Sequence, residues 1–279
     1  MEVHGAFQEL QVMSSYPRKK AWEIFVLIYS PFWIVWALCI LVPFQLYEHC
    51  NEWGYLLIGL ATAVPCLVLP ALLEPHADRR KPLNNRYWIK ANLWIAIFSF
   101  VGNYLWTHYF YRLLGASYTF PSWRLNDVPI PLYLMTHAYF CFYHAVANVA
   151  IRTVRSAAQR IHPWAPALAE GITVFALGYI MALGETVTIA HFPYYTFQDR
   201  SKMLTVGSLF YAIYFFVSFP IFFRMDEEKK TTAPRSGLLH CAGQSLAATM
   251  VVTLLLDFWR IGLGPIYTGG SSTKSLPWL

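Results

Sequence analysis

Seven apolar segments, separated by short polar connections, run along most of the chain. Each has close to the ~20 residues that a helix needs to cross a bilayer. They cover residues 24–46, 55–73, 89–111, 130–151, 167–190, 203–223 and 238–258. The pattern predicts an all-α fold, a polytopic membrane helix bundle with about seven transmembrane helices. We expect a single membrane domain over residues 1–279, with an N-terminal segment at 1–21, the bundle at 22–261 and a C-terminal tail at 262–279.

Composition and motifs exclude several classes of protein. With 57% hydrophobic and 13% charged residues, the chain has too little polar surface to cover a soluble globule of this size. It contains no pair of histidines three or four residues apart, no HExxH, no GxGxxG, no phosphate-binding GxxxxGK[ST] and no GxSxG. We therefore expect no metal and no cofactor. The five cysteines have neither paired nor metal-type spacing, and we interpret them as packing residues.

Basic residues predict the orientation, because short cytoplasmic connections collect Lys and Arg. The opposite connections hold fewer, namely Arg112, Arg124, Arg200, Lys202, Arg260 and Lys274. The richer connections hold Arg18, Lys19 and Lys20; Arg79, Arg80, Lys81 and Arg86; Arg152, Arg155 and Arg160; and Arg224, Lys229, Lys230 and Arg235. This alternation predicts a cytosolic N-terminus and a lumenal C-terminal tail. The net charge of +6 then indicates topology and attraction to anionic membrane lipid, not nucleic-acid binding.

Polar and small residues recur at steps of three and four inside the apolar segments, so five segments have a face that we expect to point into the bundle. In segment order, these faces comprise Asn92, Ala96, Ser99, Asn103 and Thr107; His137, Cys141, His144 and Asn148; Gly171, Gly178, Ala182 and Glu185; Ser208, Tyr211, Phe215 and Ser218; and Thr253 and Asp257. Counting along the helices places His108, Glu185 and Asp257 in the lumenal third, with Asn103 and His137 slightly deeper. The pattern predicts one polar layer within an apolar bundle.

Glu185 and Asp257 are the strongest candidates for chemistry, because an ionisable side chain inside a bilayer is costly and is by default a functional hypothesis. Asp257 lies three residues before Arg260, so a structural ion pair is an equally good interpretation. Glu185 has no cation on its own helix. Burial then favours a protonated carboxyl that can act as an acid at neutral pH. The alternative for Glu185 is a hydrogen bond between helices.

The other candidates also have structural interpretations. His108 lies beside Trp106 and Tyr109, as residues of an interfacial aromatic belt do. His144 and Asn148 are as suited to bridging helices as to contacting a ligand. For Gly178 and Ala182, close helix packing is the favoured interpretation.

Aromatic residues make up 18% of the chain and are concentrated at 104–111, 192–195 and 210–216. Although packing accounts for most of them, aromatic faces also stabilise cations, by about 0.5–2 kcal/mol per contact. We expect a pocket between the third, fourth, fifth and seventh helices, with aromatic side chains from the sixth. Its predicted binding residues are Asn103, Tyr104, Trp106, Thr107, Cys141, His144, Asn148, Tyr211 and Phe215.

Five long strings carry a resemblance to a known family: NRYWIKANLW (85–94), VGNYLWTHYFYRLLGASYTFPSW (101–123), HFPYYTFQDRSKM (191–203), LFYAIYFFVSFPIFFRMDEE (209–228) and LDFWRIGLGPI (256–266). They closely resemble the cycloeucalenol cycloisomerase family, also called cyclopropyl sterol isomerase. The likeness extends in order from Pro17 to Trp278. The chain departs from the family pattern in the N-terminal tail, around Lys229–Ser236, and at His191, where plant members have Asn. The last difference makes His191 a weaker catalytic candidate.

The resemblance implies an isomerase of the endoplasmic reticulum membrane that acts on a cyclopropyl sterol without a cofactor. An acid protonates C19 of the 9β,19-cyclopropane, a cation develops at C9, and loss of the C8 hydrogen forms the double bond. Onto this reaction the physical interpretation maps Glu185 as the general acid, with His108, His137 or Asp257 orienting it or relaying protons. Tyr104, Trp106 and Tyr211 are expected near the cation.

Two other functions fit a seven-helix chain. A receptor would have an extracellular N-terminus, which the charge pattern opposes. A sterol-binding or lipid-transport protein would move its ligand without changing it, and only the resemblance argues against it.

Overall fold

The computed structural model describes residues 12–74, 82–190, 192–227, 237–267 and 276–278, and most of these residues are helical. The helices are α1 (Pro17–Val35), α2 (Glu52–Leu73), α3 (Tyr87–Val101), α4 (Thr107–Leu114), α5 (Ile130–Ala158), α6 (Ala165–Ile189), α7 (Arg200–Lys202), α8 (Ser208–Arg224) and α9 (Leu238–Gly262). Three π-helical turns extend or join them: Trp36–Leu41 after α1, Gly102–Trp106 between α3 and α4, and Met203–Gly207 between α7 and α8. Short 3-10 helices lie at Leu46–His49 and Leu83–Asn85.

Five helical stretches are long and apolar enough to cross a membrane, which agrees with a multi-pass membrane protein. They are Pro17–Leu41, Glu52–Leu73, Ala165–Ile189, Arg200–Arg224 and Leu238–Gly262. The two other predicted spans coincide with α3–α4 and with α5. Both α3 and α5 carry buried polar side chains, and α5 packs against α1, α2, α3, α6 and α8. A helix surrounded by other helices can hold polar groups that lipid would not tolerate.

The predicted inward faces are largely correct. His137, Cys141, His144 and Asn148 on α5 are all buried, as are Ser208, Tyr211, Phe215 and Ser218 on α8. Two assignments are wrong, since Ala96 and Gly171 are exposed. Within α3, Ala96 lies at the edge of the stripe, about 40° from Asn92 and about 60° from Ser99 at about 100° per residue. Gly171 is near the start of α6, where a Cβ would meet no atom within 4 Å.

The packing interpretation of the cysteines is also correct only in part. All five are free thiols, and Cys66, Cys141 and Cys241 are buried. Cys39 is exposed on the π-helical turn after α1, where no residue is buried. The Cys39 thiol therefore lies at the surface of the structure.

Buried ion pairs hold one end of the bundle together, and we call Lys19, Glu23, Arg152 and Glu227 the ionic end. The Arg152 guanidinium donates to both Glu23 oxygens, at 2.8 and 3.1 Å, and to Glu227 at 2.6 Å. The Lys19 ammonium lies 2.8 Å from the Glu227 carboxylate. Burial alone would raise the pKa of Glu227, but hydrogen bonds from Arg152 and the charge of Lys19 outweigh it, so that pKa lies below its usual value. Basic residues that predicted the topology therefore also tie α1, α5 and the end of α8 together.

Short strands close the opposite end, where the connections at 115–129 and 192–199 form what we call the cap. Strands β1 (Ser117–Tyr118) and β4 (Tyr195–Thr196) pair antiparallel, and so do β2 (Arg124–Leu125) and β3 (Val128–Pro129). The rings of Tyr118 and Tyr195 stack with centroids 4.4 Å apart. Gly115 ends α4 with a φ of 60°, and a Cβ there would lie 2.4 Å from Gln198. Glycine thus allows the chain to turn sharply into the cap.

Candidate active site

Two tyrosine hydroxyls hold the carboxyl of Glu185. Tyr211 on α8 donates to its Oε2 at 2.7 Å, and Tyr143 on α5 donates to the same oxygen at 2.9 Å. The other oxygen, Oε1, has no hydrogen-bond partner among the described residues. One oxygen is therefore held by two donors that come from two different helices.

Glu185 lines a cavity at the end of the bundle that the cap covers. The empty volume, which includes the open space at its mouth, is about 550 Å³. The lining comes from the π-helical turns Gly102–Trp106 and Met203–Gly207, from α4, α5, α6 and α8, and from the paired cap strands β1 and β4. It consists of Gly102, Asn103, Thr107, Phe110, Tyr118, Thr136, Phe140, Glu185, Thr186, Ile189, Tyr195, Met203, Tyr211 and Tyr214.

The charge of this lining is unusual. It contains one carboxyl, four tyrosines and four residues with an amide or a short hydroxyl side chain, but no Lys, Arg or His in the described part of the chain. A basic neighbour would hold Glu185 as a carboxylate, and its absence removes that stabilisation. The cavity thus suits a neutral carboxylic acid whose conjugate base can be stabilised by hydroxyl groups.

Close packing of α6 on α8 brings Glu185 to Tyr211. A Cβ at Gly178 would lie 3.0 Å from the Phe216 ring and 3.2 Å from the Phe215 Cβ, so a side chain here would need these neighbours to shift. Ala182, one turn on, is fully buried. The packing interpretation of Gly178 and Ala182 is confirmed. Small side chains at these positions set the distance between two helices that carry the site.

The π-helical turn Gly102–Trp106 shapes the opposite wall. A Cβ at Gly102 would lie 3.1 Å from the Trp106 ring, and the Trp106 indole donates to the Thr253 hydroxyl on α9 at 2.8 Å. This hydrogen bond fixes the turn, which carries Asn103 into the lining. The Asn103 amide donates to the Ser99 carbonyl at 2.9 Å. π-helical turns are frequent at functional sites because they reorient side chains within a helix.

The structure brings four of the sequence-predicted residues together in this cavity. Asn103, Thr107, Glu185 and Tyr211 all contribute to its lining. They come from three separate segments of the sequence, so their convergence supports the predicted pocket. Their roles in catalysis and binding remain predictions.

The other three predicted catalytic residues lie outside the lining. His108 Nε2 lies 3.0 Å from the Asn126 carbonyl oxygen in the cap. His137 Nε2 lies 2.9 Å from the Asn92 Oδ1. Asp257 accepts hydrogen bonds from Arg260 at 2.7 Å and from Tyr109 at 3.1 Å, so the ion pair anticipated on this helix is formed. None of the three side chains is hydrogen-bonded to Glu185.

The remaining predicted binding residues also have partners elsewhere. His144 bridges α5 and α8 through the Ser218 hydroxyl at 3.0 Å, and Asn148 donates to Glu23 at 3.1 Å, so both make the helix-bridging contacts considered for them. Tyr104 is 36% exposed, whereas Trp106, Cys141 and Phe215 are fully buried. His191 lies outside the described residues.

Sequence reasoning missed Tyr143 and the cap tyrosines, Tyr118 and Tyr195. Tyr143 precedes His144 and lies off the polar stripe of α5, in a segment where tyrosines are too frequent to be distinctive. Tyr118 and Tyr195 lie in connections 77 residues apart, and only the pairing of β1 with β4 joins them. No sequence signal indicates that pairing.

Metal ligands do not cluster in the described residues, since no three His, Cys, Asp or Glu side chains are grouped there. The chain is 49% identical over 266 residues to a protein of Arabidopsis thaliana named cycloeucalenol cycloisomerase, and the match covers 94% of each protein. No family model and no solved structure matches the chain. Identity of this level over nearly the whole length shows a common family. The chain belongs to the cycloeucalenol cycloisomerase family, and it is an isomerase.

Proposed function

We propose that the protein opens the 9β,19-cyclopropane ring of a 4-methylsterol and converts cycloeucalenol into obtusifoliol. The name of the Arabidopsis relative supports the substrate. The single observation that carries the chemistry is the Glu185 carboxyl, held through Oε2 by two tyrosine hydroxyls in an aromatic cavity whose described lining has no basic side chain.

The reaction needs an acid and a base but no electrons and no water. Protonated Glu185 donates its proton to C19, and the electrons of the C9–C19 bond form the new C19–H bond. A cation is left at C9. The C8–H bond then supplies its electrons to the C8=C9 double bond, and the C8 proton passes to the Glu185 carboxylate. Because both hydrogens are on the β face of the sterol, one carboxyl group serves both steps and ends the cycle protonated.

The two tyrosines stabilise the acid in its charged form. When Glu185 releases its proton, negative charge develops on the carboxylate, and the hydroxyls of Tyr143 and Tyr211 already donate to Oε2. Donors that are in place before the charge appears favour the transition state over the ground state. A cyclopropane is a very weak base, so proton transfer to it needs this stabilisation of the carboxylate.

Aromatic rings in the lining stabilise the cation at C9. Phe110, Phe140 and Tyr214 all line the cavity, and ring faces attract a positive charge without supplying a nucleophile that would trap it. Tyr214 packs against both Trp106 and Tyr211, with ring centroids 4.5 and 5.0 Å apart. In this proposal Tyr214 has the role beside the C9 cation that was predicted for Trp106.

Glu185→Gln tests the assignment. The substitution keeps the size of the side chain and removes the proton, so turnover of cycloeucalenol should fall at least ~100-fold, the low end of general acid contributions, while sterol binding is kept. Turnover is measured as obtusifoliol formed by protein in phosphatidylcholine vesicles. Glu48→Gln, the same change at an exposed carboxyl, is the control.

Two further variants identify a wrong assignment. Asp257→Asn and His108→Ala alter two of the other three predicted candidates without touching the cavity lining. If either abolishes turnover while Glu185→Gln leaves it near normal, Glu185 is an interhelical hydrogen-bond partner and not the acid. Sterol bound or moved without any conversion by the unaltered protein would support the transport alternative instead.

The same proposal includes the membrane arrangement. We infer seven spans in one membrane domain of the endoplasmic reticulum, with the N-terminus and the ionic end in the cytosol. The charge alternation supports this orientation. It places the Glu185 cavity in the lumenal half of the bilayer, under the cap.

A further inference from the structure

Three polar side chains in the lining of the Glu185 cavity have hydrogen-bonding capacity that the described residues leave unused. They are Asn103 in the π-helical turn Gly102–Trp106, Thr107 at the start of α4 and Thr136 in α5. Within the described part of the chain, nothing donates to the Asn103 Oδ1, and neither threonine hydroxyl has a hydrogen-bond partner. The steps of the proposed reaction give none of the three a role.

The orientation of the Asn103 amide follows from its one hydrogen bond. The side chain lies 2.9 Å from the Ser99 carbonyl oxygen. A carbonyl oxygen only accepts, so the atom at this distance is the amide nitrogen. The group without a partner is therefore the Oδ1, and Asn103 offers an acceptor to the cavity that it lines.

The atoms in question are accessible, unlike other polar groups that lack a partner. The Asn148 Oδ1 and the Ser30 hydroxyl are enclosed by protein. The Asn103 Oδ1 and the hydroxyls of Thr107 and Thr136 do not belong to that enclosed group, and both threonines are partly exposed. A molecule that enters the cavity can therefore contact them.

The two threonines also differ from others in the bundle. Thr62, Thr153 and Thr186 donate to the carbonyl oxygen four residues earlier, at 2.8–2.9 Å, as threonines in helices often do. Thr107 and Thr136 make no such bond with any described residue. Their O–H groups are thus available to donate to an oxygen of a ligand.

The sterol of the proposed reaction has one polar group, its 3β-hydroxyl. C3 and C10 are opposite corners of ring A, and C19 is bonded to C10, so the hydroxyl and C19 lie on the same face at the two ends of one rigid ring. A group that binds the hydroxyl therefore determines where C19 lies relative to Glu185. Only the ring A end has to enter the cavity for this contact, while the apolar remainder of the sterol extends through the mouth.

We propose that Asn103, with Thr107 and Thr136, binds the 3β-hydroxyl of the substrate and selects 3-hydroxysterols over 3-oxosterols. This inference rests on the proposed function. The hydroxyl donates to the Asn103 Oδ1 and accepts from a threonine, because a hydroxyl does both. A 3-ketone only accepts, so its oxygen would face the Asn103 Oδ1 without a hydrogen between them, which leaves both acceptors unsatisfied.

The test measures binding of obtusifoliol and of its 3-ketone to the full chain in phosphatidylcholine vesicles, by displacement of tritiated obtusifoliol. These sterols no longer have the cyclopropane, so the unaltered protein binds them without opening a ring. The hydroxysterol should bind about 5- to 100-fold more tightly, the cost of one unsatisfied polar group. Asn103→Leu should bring this ratio close to 1, whereas Asn84→Leu, the same change at an exposed amide, should leave it unchanged. Because the ratio compares two sterols on one sample, it does not depend on the fraction of a variant that folds.

Several outcomes would overturn the inference. They are equal binding of the two sterols by the unaltered protein, binding of neither, or a ratio that persists in Asn103→Leu. Loss of the ratio in Tyr214→Phe but not in Asn103→Leu would also overturn it, since the hydroxyl would then lie at another side chain of the lining. A failure of the proposed reaction is distinguishable, because a full binding ratio without any conversion of cycloeucalenol would contradict the reaction and leave the hydroxyl site in place.

Discussion

At the scale of single residues, the site depends on how Glu185 is held. Two hydroxyls donate to one oxygen and none of the described residues donates to the other, so the two oxygens have different surroundings. A general acid must hold a proton before reaction and carry negative charge after it. Hydroxyl donors meet both needs, since they stabilise a carboxylate without the fixed positive charge that would prevent protonation.

Tyr211→Phe and Tyr143→Phe should each lower kcat for cycloeucalenol by roughly 10- to 100-fold, because a hydrogen bond to a charged group contributes about 1.5–3 kcal/mol. KM should change little, since the charge develops only in the transition state. Initial rates in vesicles measure both constants. Tyr29→Phe, which removes a hydroxyl that donates to the Thr62 carbonyl at 2.9 Å between α1 and α2, should be neutral. Normal kcat in both Phe variants would contradict the proposed role of the hydroxyls.

Sequence alone made Glu185 a candidate, because an ionisable side chain within an apolar segment stands out against its surroundings. It did not predict Tyr143 at the site, because one tyrosine among 18 in the chain does not stand out from the others. It grouped Asp257 and His108 with Glu185 by depth along their helices. Depth is only one coordinate, and rotation about the helix axis directs these side chains to Arg260 and Asn126 instead.

At the scale of secondary-structure elements, the contact between α6 and α8 determines whether the site forms. Gly178 lies against Phe215 and Phe216, and two turns later Glu185 reaches Tyr211. The helix that donates the hydroxyl is therefore positioned by a residue that has no side chain. A larger residue at 178 must move α8 or the two rings.

Gly178→Ala should destabilise the protein by about 1–3 kcal/mol, the usual cost of overpacking, and should lower turnover as well, because it separates Tyr211 from Glu185. Gly184→Ala is the matched control, since a Cβ there meets no atom within 4 Å and alanine favours a helix by up to about 1 kcal/mol. Thermal unfolding in detergent gives the stability of both. Equal behaviour of the two variants would show that the α6–α8 contact is looser than the structure indicates.

The lengths and positions of the helices followed from hydrophobicity, since each predicted segment coincides with a helix to within several residues at either end. The π-helical turns did not. They depend on tertiary contacts such as the hydrogen bond between Trp106 and Thr253, which are 147 positions apart. Short strands in the cap escaped prediction for the same reason, because two residues of strand carry no usable periodicity.

At the scale of the whole molecule, the ionic end fastens helices that are distant in sequence. Lys19 donates to the carbonyl oxygens of Phe223 and Met225, and Arg152 joins Glu23 to Glu227. Groups buried in this way stabilise only while every partner is present, because an uncompensated buried charge is costly.

Glu227→Gln should therefore lower the stability at pH 7 by up to about 3 kcal/mol, less than for a fully buried pair because the Glu227 side chain is 14% exposed. The pKa of Glu227 is lower in the folded protein than its usual value, which is about 4.3. Its contribution is thus fully present above pH ~4.3 and is lost as the pH falls through the folded-state pKa. Thermal unfolding from pH 7 down to pH 3 should show the difference from the unaltered protein shrink at the acidic end. A difference that stays constant over this range would rule out the ionised pair.

The orientation in the membrane is decided before these ion pairs exist. Lys19, Lys90 and Arg152 are buried and paired in the folded bundle, so they cannot contact lipid head groups there. During insertion the helices have not yet packed, and in the proposed orientation the same residues then hold their connections in the cytosol. In that orientation, the positive-inside pattern and the ionic end are two successive uses of one set of cations.

A glycan-acceptor sequence placed in the C-terminal tail after Arg260 should consequently be modified in the endoplasmic reticulum, and one placed near Lys229 should not. Glycans are added only on the lumenal side, and the loop that contains Lys229 follows Asp226 and Glu227, whose partners Lys90, Lys19 and Arg152 all belong to the positively charged side. Gel mobility before and after glycosidase treatment reads out each site, and turnover of the tagged proteins shows that they fold. Modification near Lys229 but not in the tail would show that the bundle has the opposite orientation, with the Glu185 cavity in the cytosolic half of the bilayer.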